Sequence, residues 1–285
     1  MKFFREHKTL KLLTVYIVFV TMHLAWRFLI SAQGHAYLGS NQNYFWGEVI
    51  GKGIPALIVA ALAGTMGCLK WNGKNMLRSL FSGMLIFILM GLVLWVRLYQ
   101  IFHSQTALKG VGDIVWFLLF VWMIGFTEEL FFRGVILESF LRIFGNTRSG
   151  LWKAVLLGAL MFGAMHFTTM LRGHSIQATL FQVFSTTVLG SVFCSIYVRH
   201  RSLYGCALLH AFNNLASLLE YGICQGRSMD ETYLTDSAGN PGPALLLLTP
   251  FVIATLVIMR KKKLTEIIER EKTSEGTCVQ VSTLS

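Results

Sequence analysis

Charge is what this sequence has least of. Only 14% of its 285 residues are charged, against roughly 25% in a typical globular domain. That scarcity excludes an ordinary soluble fold. Acidic residues are the scarcer kind: 14 Asp and Glu against 25 Lys and Arg give a formal net charge of +11. In a soluble chain this balance would point to nucleic acid. Here the basic residues sit in short loops between apolar runs and at the two ends, so nucleic acid is set aside as a partner. Cysteine is also sparse. Cys68, Cys194, Cys206, Cys224 and Cys278 form no CxxC, and four lie in or beside apolar segments. A disulfide framework and a zinc–thiolate site are therefore excluded. There is no HExxH, so the usual helix-borne zinc site is absent too. No internal repeat is evident, which counts against a transporter built from inverted repeats. The sequence closes on Ser-Thr-Leu-Ser, which is not a C-a-a-X box, and the chain is not expected to be prenylated by that route.

What is present is apolar length. Hydrophobic residues make up 54% of the chain and recur in runs. About 20 such residues at 1.5 Å each cross a hydrocarbon core of about 30 Å. The runs predict helices over 9–31, 45–68, 78–103, 112–143, 149–170, 176–198, 202–222 and 242–260. The fold class is therefore all-α, a polytopic bundle of about eight transmembrane helices. The first run follows Lys2, Arg5 and Lys8 as a signal peptide would, but it is long enough to span and is expected to stay as an uncleaved helix. The fourth run exceeds one straight crossing, so tilt or continuation past the membrane surface is expected. Ala60 with Gly64, and Ala159 with Gly163, place small residues four apart, a spacing that lets helices pack closely in lipid.

The loops alternate in charge. Lys2, Arg5, Lys8 and Lys11 precede the first helix. Lys70, Lys74 and Arg78 mark the second loop, Arg142, Arg148 and Lys153 the fourth, Arg199 and Arg201 the sixth, and Arg260, Lys261, Lys262 and Lys263 open the tail. The opposite loops hold Lys109, Arg172 and Arg227, one apiece, and none in 32–44. Eight helices with both termini in the cytoplasm of a cell whose plasma membrane they cross would produce this pattern. The expected organisation is N-terminal transmembrane helices over 1–111, a core over 112–260 and a charged cytoplasmic tail over 261–285.

A few ionisable residues fall inside the apolar runs, where they are costly and by default point to function. The fourth run contains Phe126-Thr127-Glu128-Glu129-Leu130-Phe131-Phe132-Arg133. Glu129 and Arg133 are four apart on one helix face and can pair. Glu128 lies about 100° around and is left to act on something else. The fifth run contributes His166. The seventh contributes His210 and Asn214, again four apart on one side; Asn213 faces about 100° away. A carboxylate and a histidine can deprotonate a water, while a second histidine and an amide can donate to an oxyanion. The same groups could instead hold a divalent metal. Singly, each group has a plainer reading: an inert ion network, a packing histidine or an interhelical hydrogen bond. Glu48, Lys52, Arg27, Arg97 and Glu220 lie towards helix ends by these spans and are read as snorkelling residues. Trp46 and Trp152 near helix starts are read as interfacial belt residues.

The ordered set Glu128-Glu129-x-x-x-Arg133, Phe162-x-x-x-His166 and His210-x-x-x-Asn214, on separate apolar helices, resembles the CPBP family. This family comprises type II CAAX prenyl endopeptidases and bacteriocin-processing enzymes, often called intramembrane metalloproteases. The resemblance covers about residues 112–260. It implies an endopeptidase in which Glu128 and His166 activate water, His210 and Asn214 stabilise the oxyanion, and Glu129 with Arg133 supports the site. It implies a peptide or membrane-protein substrate, prenylated or exported. Whether a metal, zinc by family description, is held by Glu128, His166 and His210 stays open; activation by the glutamate alone is preferred. The alternative is a non-catalytic scaffold or immunity protein of the same fold, against which the intact set of polar residues counts. With these spans, His166 falls nearer the outer surface than His210, so a shared site requires tilted or broken helices.

Overall fold

A computed structural model describes residues 8–32, 40–172, 174–227 and 241–269. Lys2, Arg5, the loop segments 33–39 and 228–240, Cys278 and the tail beyond 269 lie outside the described residues, as do the side chains of Arg27 and Arg172.

The described chain is helical, and the only β pairing in it is one isolated bridge, Leu108 with Cys224. Its elements are α1 (Lys8–Ala32), α2 (Asn41–Ala63), α3 (Gly73–Ser82), α4 (Met84–His103), α5 (Val111–Phe144), α6 (Arg148–Ala164), α7 (Ile176–His200), α8 (Leu203–Ile223), α9 (Pro241–Ile258) and α10 (residues 261–269). Six described helices are long and apolar enough to cross a membrane: α1, α2, α4, α5, α6 with its extension, and α7. α8 has 21 residues and carries His210 and Asn214, and α9 contributes the shorter apolar stretch Leu248–Ile258. These eight segments fall where the hydrophobic runs lie.

Several helices start on a side-chain cap that satisfies an otherwise orphaned backbone N–H. Thr147 accepts from Gly150, Ser175 from Ala178 and Ser202 from Gly205. Basic side chains from neighbouring helices do similar work at the C-terminus of α2. Lys11 donates to the carbonyl of Ala63, and Arg142 donates to those of Ala63 and Gly64. Cations are favoured at these carbonyl ends. On the same side of the bundle Glu138 receives both Arg201 at 2.7 Å and the Tyr197 hydroxyl at 2.9 Å.

Three details differ from the sequence expectation. The run 78–103 is two helices, because the chain breaks at Gly83 between α3 and α4. Gly64 is not a packing residue: it takes φ +68° as the left-handed cap of α2, with open space around it. The long fourth run is one continuous helix with a change of winding. It is α-helical to Glu129, π-helical over Leu130–Leu137, and α-helical again from Glu138. α2 carries a shorter π stretch, Val49–Gly53. α6 tightens into a 3-10 helix over Met165–Arg172. Such local windings concentrate at functional sites.

The larger of two apolar cores runs through the bundle. It takes Phe19 from α1, Val59 from α2, Phe131 and Ile136 from α5, Phe162 from α6, Phe193 from α7, Leu209 from α8, and Ile267 from α10. Many of the remaining large apolar side chains, such as Leu92 and Trp95 on α4, face outward, as expected of helices solvated by lipid.

Candidate active site

The site is built where α5, α8, α6 and α2 meet. Its first requirement is close approach of α5 to α8, and Gly125 provides it. A Cβ at this position would lie 2.6 Å from the Ala207 carbonyl oxygen and 2.8 Å from the Ala211 nitrogen. No larger residue fits, so the backbones touch one turn before Glu128 and Glu129. That contact brings His210 of α8 against both carboxylates.

Glu129 and Arg133 form the floor of the site. Both side chains are fully buried, with Arg133 Nη1 2.8 Å from Glu129 Oε1. Arg133 Nη2 donates to the Gly190 carbonyl at 3.2 Å, and the guanidinium lies over the Phe162 and Phe193 rings, 4.6 and 5.2 Å from their centroids. Removing one partner of such a pair costs about 3–5 kcal/mol, because the other charge is left uncompensated. The i, i+4 pairing expected from sequence is present. The same Glu129 Oε1 also holds His210 Nδ1 at 2.8 Å. A carboxylate can only accept, so Nδ1 carries the proton and Nε2 points away from Glu129. The ring is stacked on Phe193 and meets the Phe162 ring edge-on.

Glu128 faces the other way, as the 100° step requires. Its Oε1 receives the Lys52 ammonium at 2.7 Å, and its Oε2 lies 3.7 Å from His210 Nε2. That gap is longer than a hydrogen bond and is the span one bridging oxygen can close. His166 opens the 3-10 segment after α6. Its Nδ1 lies 3.1 Å from the Phe162 carbonyl oxygen, which can only accept, so here too Nδ1–H is the donor and Nε2 is left with a lone pair. The His166 ring stands edge-on to Phe162, 5.4 Å between centroids, and His210 does so from 5.7 Å. Both histidines interact electrostatically with Glu128. The tightened winding at Met165 accompanies a His166 that shares the Phe162 ring with His210 as an aromatic partner. Asn214, one turn beyond His210, has its Nδ2 buried without a protein partner. Asn213 instead offers its carbonyl to Ser217.

Two residues of the site escaped the sequence reading. Glu48 and Lys52 are not snorkelling residues at a helix end. α2 starts at Asn41, four residues before the expected span, which sets both deeper. Lys52 lies 3.1 Å from Glu48 as well as 2.7 Å from Glu128, and Glu48 accepts the Thr127 hydroxyl at 2.6 Å. The signal that could have found them was their own i, i+4 spacing inside an apolar run, the same cue that identified Glu129 with Arg133. Arg97 and Glu220 pair at 3.9 Å while partly exposed, and Glu220 also meets Arg227.

As a metal centre the donor set fits poorly. Among the described residues no three His, Cys, Asp or Glu side chains gather as ligands. One oxygen of Glu128 is already engaged by an ammonium, which would repel a divalent cation at that position. The residues present do not fit a metal, and no step of the proposed reaction passes through one.

No curated protein matches the chain. The model of the Rce1-like type II CAAX prenyl endopeptidases matches residues 110–216, the stretch from the start of α5 through most of α8. That stretch holds Glu128, Glu129, Arg133, His166, His210 and Asn214 on helices of a membrane bundle. By this match residues 110–216 are similar to the CAAX endopeptidases, a family of membrane proteases.

Proposed function

We propose that the protein hydrolyses a peptide bond within the membrane, with water activated by Glu128 and His166 and the oxyanion held by His210 and Asn214. The observation that carries this reading is the contrast between the two histidines. His166 has its Nδ1–H tied to a backbone carbonyl, so Nε2 is a lone pair that can accept a hydrogen bond from the water and orient it for Glu128. His210 has its Nδ1–H tied to the Glu129 carboxylate, which turns its Nε2 away from Glu129 and towards Glu128. Asn214, four residues further along α8, offers a buried amide nitrogen with no protein partner. A histidine and an amide on one helix are the kind of donor pair a developing oxyanion requires.

The reaction follows from these roles. Water gives its proton to Glu128 as its oxygen bonds the carbonyl carbon. The carbonyl oxygen becomes the oxyanion held by His210 and Asn214. Collapse breaks the C–N bond, and Glu128 returns the proton to the leaving amine. The Glu129–Arg133 pair holds His210 in place. The substrate is a membrane-associated peptide or protein segment, prenylated or exported. The face carrying the basic loops is cytoplasmic, in the plasma membrane.

The test works with the substrate still unidentified. Wild type and Glu128→Gln are expressed at matched levels in a deletion strain, and peptide termini in membrane and secreted fractions are compared by mass spectrometry. Termini that appear with wild type and disappear with Glu128→Gln are expected. Identical termini, with any deletion phenotype rescued equally, would favour a scaffold.

A further inference from the structure

We infer that Lys52 is a positioning residue for Glu128, clamping one carboxylate oxygen so that the other is presented to the histidines, with Glu48 as the counter-anchor of the clamp. This rests on the reading of Glu128 as the base.

The geometry is a closed ring. Thr127 donates to Glu48 Oε1 at 2.6 Å, Glu48 lies 3.1 Å from the Lys52 ammonium, and the ammonium lies 2.7 Å from Glu128 Oε1. Thr127 and Glu128 are adjacent, so the ring leaves α5, crosses to α2 and returns to α5 one residue later. An ammonium has three donors and can serve both carboxylates at once. The terminal torsion of a glutamate is broad and does not fix the carboxylate by itself. With Oε1 held, Oε2 is the oxygen left at 3.7 Å from His210 Nε2.

A purely structural ion pair is the plainer account, and burial argues against it. Glu129 and Arg133 are 0% exposed, whereas the Lys52 side chain is 22% and Glu128 17% exposed. The clamp therefore lies on the accessible side of the site. Lys52 also sits on the π stretch Val49–Gly53, a winding that recurs at functional positions. An ionisable residue inside a membrane bundle that touches a reacting group is by default functional.

The experiment compares Lys52→Met, Lys52→Arg and the double variant Glu48→Gln/Lys52→Met with wild type, each with its thermal unfolding midpoint measured. The substrate is a peptide whose cleavage Glu128→Gln abolishes. Lys52→Met alone leaves Glu48 without its cation and could perturb the fold, whereas the double variant removes both charges together. The expected result is a kcat about a hundredfold lower in both Met variants, since small misplacement of a reacting group costs about that much, with KM little changed. Lys52→Arg is expected to recover most of kcat. A double variant with wild-type kcat, or a defect confined to KM, would overturn the inference while leaving Glu128 as the base. Failure to find any peptide whose cleavage Glu128→Gln abolishes would overturn the proposed function itself, and the clamp with it.

Discussion

Glu128 and Glu129 are neighbours in sequence, each bound to a cation, yet the two pairs occupy different physical settings. Glu129 binds Arg133, four residues along its own helix, inside a shell of Phe162 and Phe193 with no exposure. Glu128 binds Lys52, 76 residues away on another helix, at a partly open position. The first pair is dry, stacked and shared with His210. The second has an ammonium that serves two carboxylates and a carboxylate oxygen left over. Arginine suits the first task, because its planar fork lies flat on aromatic faces; lysine suits the second, as a compact charge on a flexible stem. One pair holds its neighbours still, and the other, in the proposed reaction, holds the base ready.

Breaking this comparison begins at its open half. Glu128→Gln keeps the shape and removes the base, and cleavage is expected to fall by up to about four orders of magnitude. The unfolding midpoint in detergent should stay close to wild type, and a matching loss of fold would erase the distinction between the halves. The closed half should respond in stability instead. Arg133→Met leaves Glu129 buried without its cation, at a cost of about 3–5 kcal/mol, read as a lowered unfolding midpoint. Adding Glu129→Gln should restore part of that loss. Asn214→Ala tests whether the open half extends to α8: kcat should drop about a hundred- to a thousandfold with the fold intact. The smallest effect belongs to a polar cluster away from both halves. Tyr197→Phe removes one hydrogen bond to Glu138 and should cost about 1 kcal/mol of stability, with turnover unchanged in the same cleavage assay.

The comparison also explains what the sequence could and could not yield. The helix runs follow directly from hydropathy, and Glu129 with Arg133 follows from the α-helical repeat, because both partners lie on one element. The four residues proposed to act on substrate are legible as polar interruptions of apolar runs. The partner of Glu128 is not legible in that way. Nothing local ties residue 52 to residue 128, and a start at 45 rather than 41 is enough to make Lys52 look interfacial. The changes of winding are hidden for a related reason. No residue type in Leu130–Leu137 or Met165–Arg172 announces the π or 3-10 winding found there. From sequence His166 falls nearer one membrane face than His210, and what has to come from tertiary structure is that His210 meets the same Phe162 ring.

The π segment of α5 has a further consequence, for how this helix tolerates change in length. A π turn accommodates an extra residue relative to an α turn, and here it lies between the paired glutamates and Glu138, which holds Arg201 and Tyr197. The two polar ends of α5 are thus set to different clocks, with Leu130–Leu137 absorbing the offset. Deleting one residue there, Val135 for instance, would return the stretch towards regular α winding and leave Glu138 close to its present bearing, whereas the same deletion in the α-helical turns before Glu128 would turn everything beyond it by about 100°. The eight-residue stretch behaves as a splice between two lengths of helix, and a one-residue change of length in α5 should be tolerated there before it is tolerated in the α-helical lengths on either side.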